Sequence, residues 1–256
     1  TNITKGTIPK SANLEKQSTI NVNYSNFPDW AKKELQLAVD IWAANFQSKV
    51  PITIDATWSS SQSIAVLGSA RPGGYFAGFS GAPDSSLWYP SALANALAGK
   101  DLDVRSAEIT INVNSRADWN RRGDGSPTTR EYDLKSVFIH EMGHGLGFLS
   151  NDSFDSYLGY GSIEQPTPFD AYAQTADGRR LADLPSPSLE LGKALRNILV
   201  WSGAQGIAAN GGVKPVLYTP STYEDGSSVS HLDEKTFADN ELDRVMTPNL
   251  EAGEVF

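Results

Sequence analysis

Two histidines and a glutamate at a fixed spacing are the residues of this 256-residue chain that point most directly to chemistry. The segment His140-Glu141-Met142-Gly143-His144 reads H-E-x-x-H. On a helix, side chains four residues apart project from the same face, so His140 and His144 can bind one metal ion together. Zinc takes imidazole nitrogens at about 2.0–2.1 Å. Glu141 would then lie beside the ion, where it can act as the general base on a zinc-bound water.

A catalytic zinc ion usually has three protein ligands, so the sequence must supply one more. In the pattern H-E-x-x-H-x-x-G-x-x-H the third ligand would stand at position 150, where this chain has Ser150. His231 is the third histidine of the chain, and Asp152, Asp155 and Glu164 are the carboxylate alternatives. The residues alone leave this choice open.

The segment that carries the motif has the signals of a helix. Asp133 is a suitable N-cap, and apolar residues at positions 134, 137 and 138 give the helix a face to bury. The pattern upstream predicts strands over 20–24, 52–58, 63–68 and 109–113, a long helix that begins near 29 and reaches 46, and a short helix over 91–99. Residues 151–187 show little periodicity, and one helix is predicted from Leu189 to about Gly203.

Three stretches resemble the leishmanolysin-type metzincin zinc peptidases: residues 142–148 (MGHGLGF), 230–234 (SHLDE) and 245–248 (VMTP). In that family an insertion separates the glycine after the motif from the third histidine, and a methionine follows in a tight turn beneath the metal. The resemblance implies that Gly147 ends the active-site helix, that His231 is the third ligand, and that Met246 is the Met-turn residue. The pattern looks most like that of bacterial secreted relatives.

The resemblance also implies an α+β fold, with a mixed twisted sheet and two long helices in an upper subdomain and an irregular lower subdomain across the active-site cleft. Together with a composition shift near residue 150, it predicts an N-terminal arm over 1–17, an upper zinc-binding subdomain over 18–149 and a lower subdomain over 150–256. The lower subdomain would carry the third ligand and the Met-turn. The strand over 109–113 would be the sheet edge along which a substrate lies.

Composition excludes several classes of protein. The chain has no cysteine, so it has neither disulfides nor thiolate-ligated metal sites. Its net charge of −9 disfavours nucleic acids and anionic membranes as partners. No apolar run approaches the roughly 20 residues of a membrane span. We therefore expect protein or peptide substrates, no nucleic acid, no membrane span and a monomer.

The sequence predicts a secreted zinc-dependent endopeptidase with one catalytic Zn²⁺. The chain starts with Thr1 and shows no apolar signal segment, as expected for a mature secreted fragment. Calcium binding by the Asp-containing stretch 151–155 is a further expectation. The alternative is a zinc-containing binding or adhesin module without significant turnover. The intact Glu141 argues against it, because a purely structural zinc site fills all four positions with protein ligands.

Overall fold

The computed structural model describes residues 15–63, 65–237 and 244–256. Of the predicted arm over 1–17, residues 1–14 lie outside the described residues. The described part is mixed α+β with six α-helices and a mixed main sheet, which confirms the predicted class. None of its helices has both the length and the hydrophobicity needed to cross a membrane.

The helices and strands are named here in chain order. The elements are β1 (Ile20–Ser25), α1 (Asp29–Asn45), β2 (Ile52–Ser59), β3 (Gly68–Pro72), β4 (Tyr75–Phe76), β5 (Tyr89–Pro90), α2 (Ser91–Ala98), β6 (Ile109–Asn114), α3 (Leu134–Leu146), β7 (Asp152–Asp155), β8 (Tyr160–Ile163), α4 (Pro168–Tyr172), β9 (Ala173–Thr175), α5 (Leu189–Ala194), β10 (Leu199–Trp201) and α6 (Ala204–Ala209).

The main sheet has four strands in the order β1-β2-β6-β3. The first three are parallel to one another, and β3 runs antiparallel to β6. Parallel neighbours need a crossover connection, and α1 supplies it between β1 and β2. The helix buries Ala31, Leu35 and Ala38 in the core that it shares with the sheet and with α3. This core forms the support on which α3, the helix with the H-E-x-x-H motif, is held.

The edge strands of the sheet are β1 and β3, and the prediction that the strand over 109–113 forms an edge is wrong. β6 pairs with β2 on one side and with β3 on the other. The side chains of Ile109, Ile111 and Val113 are fully buried, as suits a central strand. β3 has the sequence Gly-Ser-Ala-Arg-Pro, in which apolar and polar residues do not alternate. Hydrophobic periodicity therefore could not predict a strand at this position. The strand predicted over 63–68 ends at the residue where β3 begins.

The second half of the chain is more regular than its sequence indicates. β7 and β8 form a hairpin, and β9 pairs with β10. The helix predicted from Leu189 to about Gly203 is too long, because α5 ends at Ala194 and β10 follows at Leu199. Leu199 is fully buried and pairs with Thr175, so strand pairing overrides the helical spacing of the leucines.

The structure has two hydrophobic cores, one built mainly from residues before the end of α3 and one from residues after it. The first surrounds the main sheet, α1 and α3, and the second is built from residues between 163 and 229. Val245 and Leu250 return to the first core although they follow the second in sequence. The subdomain ranges 18–149 and 150–256 stay a prediction.

Substitution of Gly145 by alanine is expected to destabilise the fold, because α3 lies directly on β6 at this glycine. A Cβ at Gly145 would lie 2.3 Å from Ile109 Cγ2. We expect a loss of about 1–3 kcal/mol in the free energy of unfolding from overpacking. Urea unfolding measures the loss, and Gly74→Ala is the control because its Cβ would meet only Ser91 Oγ, at 3.5 Å. Equal stability of the two variants would contradict the close approach of α3 to the sheet.

Candidate metal centre

Local interactions set both ends of α3, at the N-cap that the sequence predicts and at the glycine that the resemblance implies. The Asp133 carboxylate accepts hydrogen bonds from the Ser136 backbone N–H at 2.9 Å and from the Ser136 hydroxyl at 2.6 Å, which confirms the predicted N-cap. Gly147 has a φ of 122°, which side-chain-bearing residues rarely adopt, and it ends the helix. The Phe148 N–H then bonds to the Gly143 carbonyl at 3.0 Å, so the chain reverses immediately after the motif.

Three histidine side chains meet at one point of the structure. His140 and His144 project from α3, and His231 comes from a segment that packs on the second core, where the Tyr218 N–H bonds to the His231 carbonyl at 2.8 Å. The Nε2 atoms of His140 and His144 lie 2.9 Å apart, and that of His231 lies 3.3 Å and 3.1 Å from them. His144 and His231 are buried, and His140 is partly exposed to the adjoining cleft.

Backbone carbonyls fix the tautomer of each histidine. Every Nδ1 lies within hydrogen-bond distance of a carbonyl oxygen, which can only accept, so each Nδ1 carries the proton and each Nε2 presents a lone pair. The lone pairs therefore converge on one another with no hydrogen between them. The three bonds run from His140 to the Val245 carbonyl (2.7 Å), from His144 to the Phe148 carbonyl (2.7 Å) and from His231 to the Ser227 carbonyl (2.8 Å).

This donor set fits a divalent metal ion. Nitrogens about 2.0–2.1 Å from a tetrahedral ion are about 3.3 Å apart, close to the separations of the three Nε2 atoms. Carbonyl oxygens that orient the distal ring nitrogens are the usual outer partners of metal-binding histidines. Burial lowers the pKa of all three histidines, that of His231 to about 3 with the neighbouring His140 as a further cause, so the rings are neutral at pH 7. Neutral imidazole is the form that binds zinc, copper, iron or nickel.

The carboxylates that were alternatives for the third ligand do not join the histidines. In the part of the chain that the structure describes, His140, His144 and His231 are the one group of three or more potential ligands close enough to share a metal ion. Glu164 is exposed, and Asp155 accepts the N–H groups of the turn that follows it. Calcium binding by the stretch 151–155 stays a prediction.

Glu141 lies between α3 and the edge strand, and it is 5% exposed. The Ala70 backbone amide lies close to its carboxylate. Burial raises the pKa of Glu141 to about 8, and the Ala70 backbone amide opposes this shift. Gly68 leaves space opposite it, because a Cβ there would lie 2.9 Å from Glu141 Oε1. Gly68 and Ala70 are site residues that sequence reasoning missed, since nothing in the sequence places β3 next to α3.

Met246 lies against the helix that carries the first two histidines. Its sulfur comes so close to α3 that a Cβ at Gly143 would be 2.7 Å away from it. The Met246 carbonyl accepts the Leu232 N–H at 2.8 Å, so its backbone also holds the segment of His231. The residue that the resemblance assigned to a Met-turn thus contacts both ligand-bearing segments.

Ser150 occupies the position where the shorter motif would have its third histidine, and it has a different role here. Its N–H donates to Ser230 Oγ at 3.0 Å, and its hydroxyl donates to Asp170. Asp170 is fully buried and also accepts the Thr167 N–H at 2.7 Å. Ser150 therefore anchors the residue before His231 to the second core, through a long-range contact that gives no signal in the sequence.

An open cleft of about 600 Å³ runs past the histidines. One wall is β3 with the residues before it, the floor is α3, and the other walls come from the loop that precedes His231 and from the segment after Met246. Glu141 and the partly exposed His140 both face this space. The charged and hydrogen-bonding residues on its lining are Ser69, Tyr132, Ser136, His140, Glu141, His144, Ser150, Asp225, Ser227, Ser230, His231, Thr247 and Asn249.

Protein-family models, curated protein sequences and solved structures offer no match to this chain. The geometry of the described residues is therefore the basis on which a function can be assigned. The likeness to leishmanolysin-type metzincins stays a prediction from the sequence.

We expect the metal-stripped protein to bind one divalent transition-metal ion per chain and His231→Ala to lose tight binding, because two histidines would remain. Titration with Co²⁺ and Zn²⁺ under equilibrium dialysis measures stoichiometry and affinity. Asp152→Asn is the matched control, since Asp152 was an alternative ligand and lies outside the histidine cluster. Stoichiometric tight binding by His231→Ala would exclude His231 as a ligand.

Glu141→Gln is expected to stabilise the metal-free protein increasingly as pH rises from 4.5 to about 8. The carboxyl has a pKa of about 8 when folded against an ordinary value of 4.5, so its contribution to stability is complete below pH 4.5 and is lost as pH rises through 8. Glutamine does not titrate, so the difference in unfolding free energy grows by at most about 1.4 kcal/mol per pH unit. Urea unfolding of both proteins across this range measures it. A difference that is constant with pH would contradict the burial of a protonated Glu141.

Proposed function

We propose that this protein is a zinc-dependent endopeptidase, a secreted relative of the leishmanolysin-type metzincins. The observation that carries the proposal is the convergence of three neutral imidazole nitrogens beside a buried carboxylate, in a cleft that is open to solvent. Three protein ligands leave a coordination position free, which is typical of catalytic zinc sites. The secreted location depends on the resemblance alone.

The residues of the centre have separate roles in this proposal. His140, His144 and His231 would hold the zinc ion, which when bound supplies a Lewis acid that polarises a peptide carbonyl and increases the acidity of water. Glu141 accepts a proton from the attacking water and delivers it to the leaving amine. Burial raises the pKa of Glu141 in the metal-free protein, and a zinc ion bound beside it would lower that pKa and favour the carboxylate that acts as the base. The Ala70 backbone amide lies beside the carboxylate, and Gly68 leaves it space.

The edge strand supports a peptide as the substrate. β3 has no strand neighbour on its outer side among the described residues, and it forms one wall of the cleft. An extended peptide can add to such an edge through main-chain hydrogen bonds, which do not depend on the identity of its side chains. A scissile bond held along β3 would pass Glu141 and the histidines. The edge strand thus takes the role that the resemblance assigned to residues 109–113.

The metzincin assignment has further support in the position of Met246. The methionine packs against α3 at Gly143, and its backbone bonds to Leu232, next to His231. A parallel sheet with an antiparallel edge strand and two long helices, α1 and α3, agrees with the upper subdomain that the resemblance implies. Gly147 ends α3 and redirects the chain into the second core.

Glu141→Gln is expected to abolish most peptide hydrolysis while the bound zinc is retained. The amide keeps the shape of the side chain and removes the base, and a loss of about 10²–10⁴-fold in kcat/KM is expected. Cleavage of a fluorogenic peptide library and zinc content by mass spectrometry measure the two properties. Glu164→Gln, at an exposed glutamate, is the control and should leave both unchanged.

Normal turnover by zinc-loaded Glu141→Gln would disprove the role of this residue as the base. A zinc-replete wild-type protein that cleaves no peptide of the library would instead favour the binding or adhesin module.

A further inference from the structure

The turn that contains Met246 is closed by the residue that begins it. The Arg244 carbonyl accepts the Thr247 N–H at 3.0 Å and the Thr247 hydroxyl at 2.8 Å. Between these two residues, the Val245 carbonyl accepts from His140 Nδ1 and the Met246 carbonyl accepts from the Leu232 N–H. One tight turn therefore bonds to both histidine-bearing segments, α3 and the segment of His231.

The side chain of Arg244 binds carboxylates from two other parts of the chain. Its Nη2 lies 3.1 Å from Glu234 Oε1, and its Nη1 lies 2.5 Å from Glu254 Oε1. The arginine side chain is 13% exposed and the two glutamates are 26% and 22% exposed. These ion pairs are more withdrawn from water than ordinary surface pairs, so solvent and salt screen them less.

Each of the two glutamates is itself held at its second oxygen. Glu234 Oε2 accepts from Asn249 Nδ2 at 2.8 Å, and Glu254 Oε2 accepts the Glu251 N–H at 2.7 Å. Glu234 is three residues beyond His231 in the sequence. Arg244 therefore connects the segment after the third histidine, the turn and the residues that follow the turn.

We propose that Arg244 is a positioning residue for the metal centre, which it serves by holding the Val245 and Met246 carbonyls against the histidine-bearing segments. The inference rests on the metal-binding part of the proposed function. Arginine suits this task better than lysine, because its planar guanidinium bonds two carboxylates at once in fixed directions. When the guanidinium is removed, the turn loses two ion pairs that help to fix its orientation, and the partner of His140 Nδ1 is held less firmly.

Zinc affinity of the metal-stripped protein, measured by competition with a chromophoric chelator, tests the proposal. Loss of groups that orient metal ligands typically weakens binding by about 10–100-fold, and we expect a loss in this range for Arg244→Met. Arg122→Met is the matched control. Arg122 also binds two carboxylates, of Asp124 and Glu131, but it is exposed and does not line the cleft, so zinc affinity should not change.

Arg244→Lys separates positioning from general stabilisation. It retains the charge and can satisfy one glutamate, so its zinc affinity should lie between those of the wild type and Arg244→Met. A purely structural role would lower the unfolding temperature of the metal-free protein and leave the zinc affinity of the folded protein unchanged. The visible spectrum of the Co²⁺-loaded variants reports ligand geometry directly, and we expect it to change in Arg244→Met and not in Arg122→Met.

Unchanged zinc affinity and an unchanged cobalt spectrum in folded Arg244→Met would overturn the proposal. If that variant does not fold, Glu234→Gln decides: it should weaken zinc binding, and wild-type affinity would count against the inference. A wild-type protein that binds no zinc would overturn the proposed function, and the inference with it. Zinc binding without peptide cleavage would leave the positioning role intact.

Discussion

Three neutral imidazole rings must be held with their Nε2 lone pairs within 3.3 Å of one another, and this requirement shapes the rest of the structure. Lone pairs at such distances repel unless a cation lies between them. The rings stay in place because each Nδ1–H is bonded to a backbone carbonyl. The three carbonyls come from three different segments, those of Val245, Phe148 and Ser227. The conformations of three separate loops are thereby tied to the ligand geometry.

The two hydrophobic cores position different residues of the metal centre. The first core fixes α3, and with it His140, His144 and Glu141, against a sheet whose edge strand forms a wall of the cleft. The second core presents His231, and Ser150 joins it to the end of α3 through Ser230. The cleft therefore lies where both cores meet, with rigid elements below it and loops around it. Loops that carry a site on a fixed scaffold are a common arrangement in enzymes.

Local signals in the sequence predicted the elements that depend on neighbours in the chain. Asp133 marks the start of α3 because capping is a local requirement. Gly147, which ends the helix, was assigned by the family resemblance. The assignment of His231 came from a family resemblance, and the structure shows that it meets the other two histidines. The place of β3 and the conversion of Leu199 from helix to strand depend on pairing with distant residues. Periodicity contains no information on such pairing, so both were mispredicted.

The hydrogen bond from His140 to Val245 spans 105 residues, and the contact between His140 and His231 spans 91. A ribosome would therefore complete the H-E-x-x-H helix long before it produced the groups that orient it. Contacts of such long range form late in folding, because closing large loops has an entropic cost that local contacts avoid. The histidine cluster of a nascent chain would stay unoriented until the segment around Val245 had emerged and docked. For the proposed peptidase, the topology itself would then delay the onset of activity.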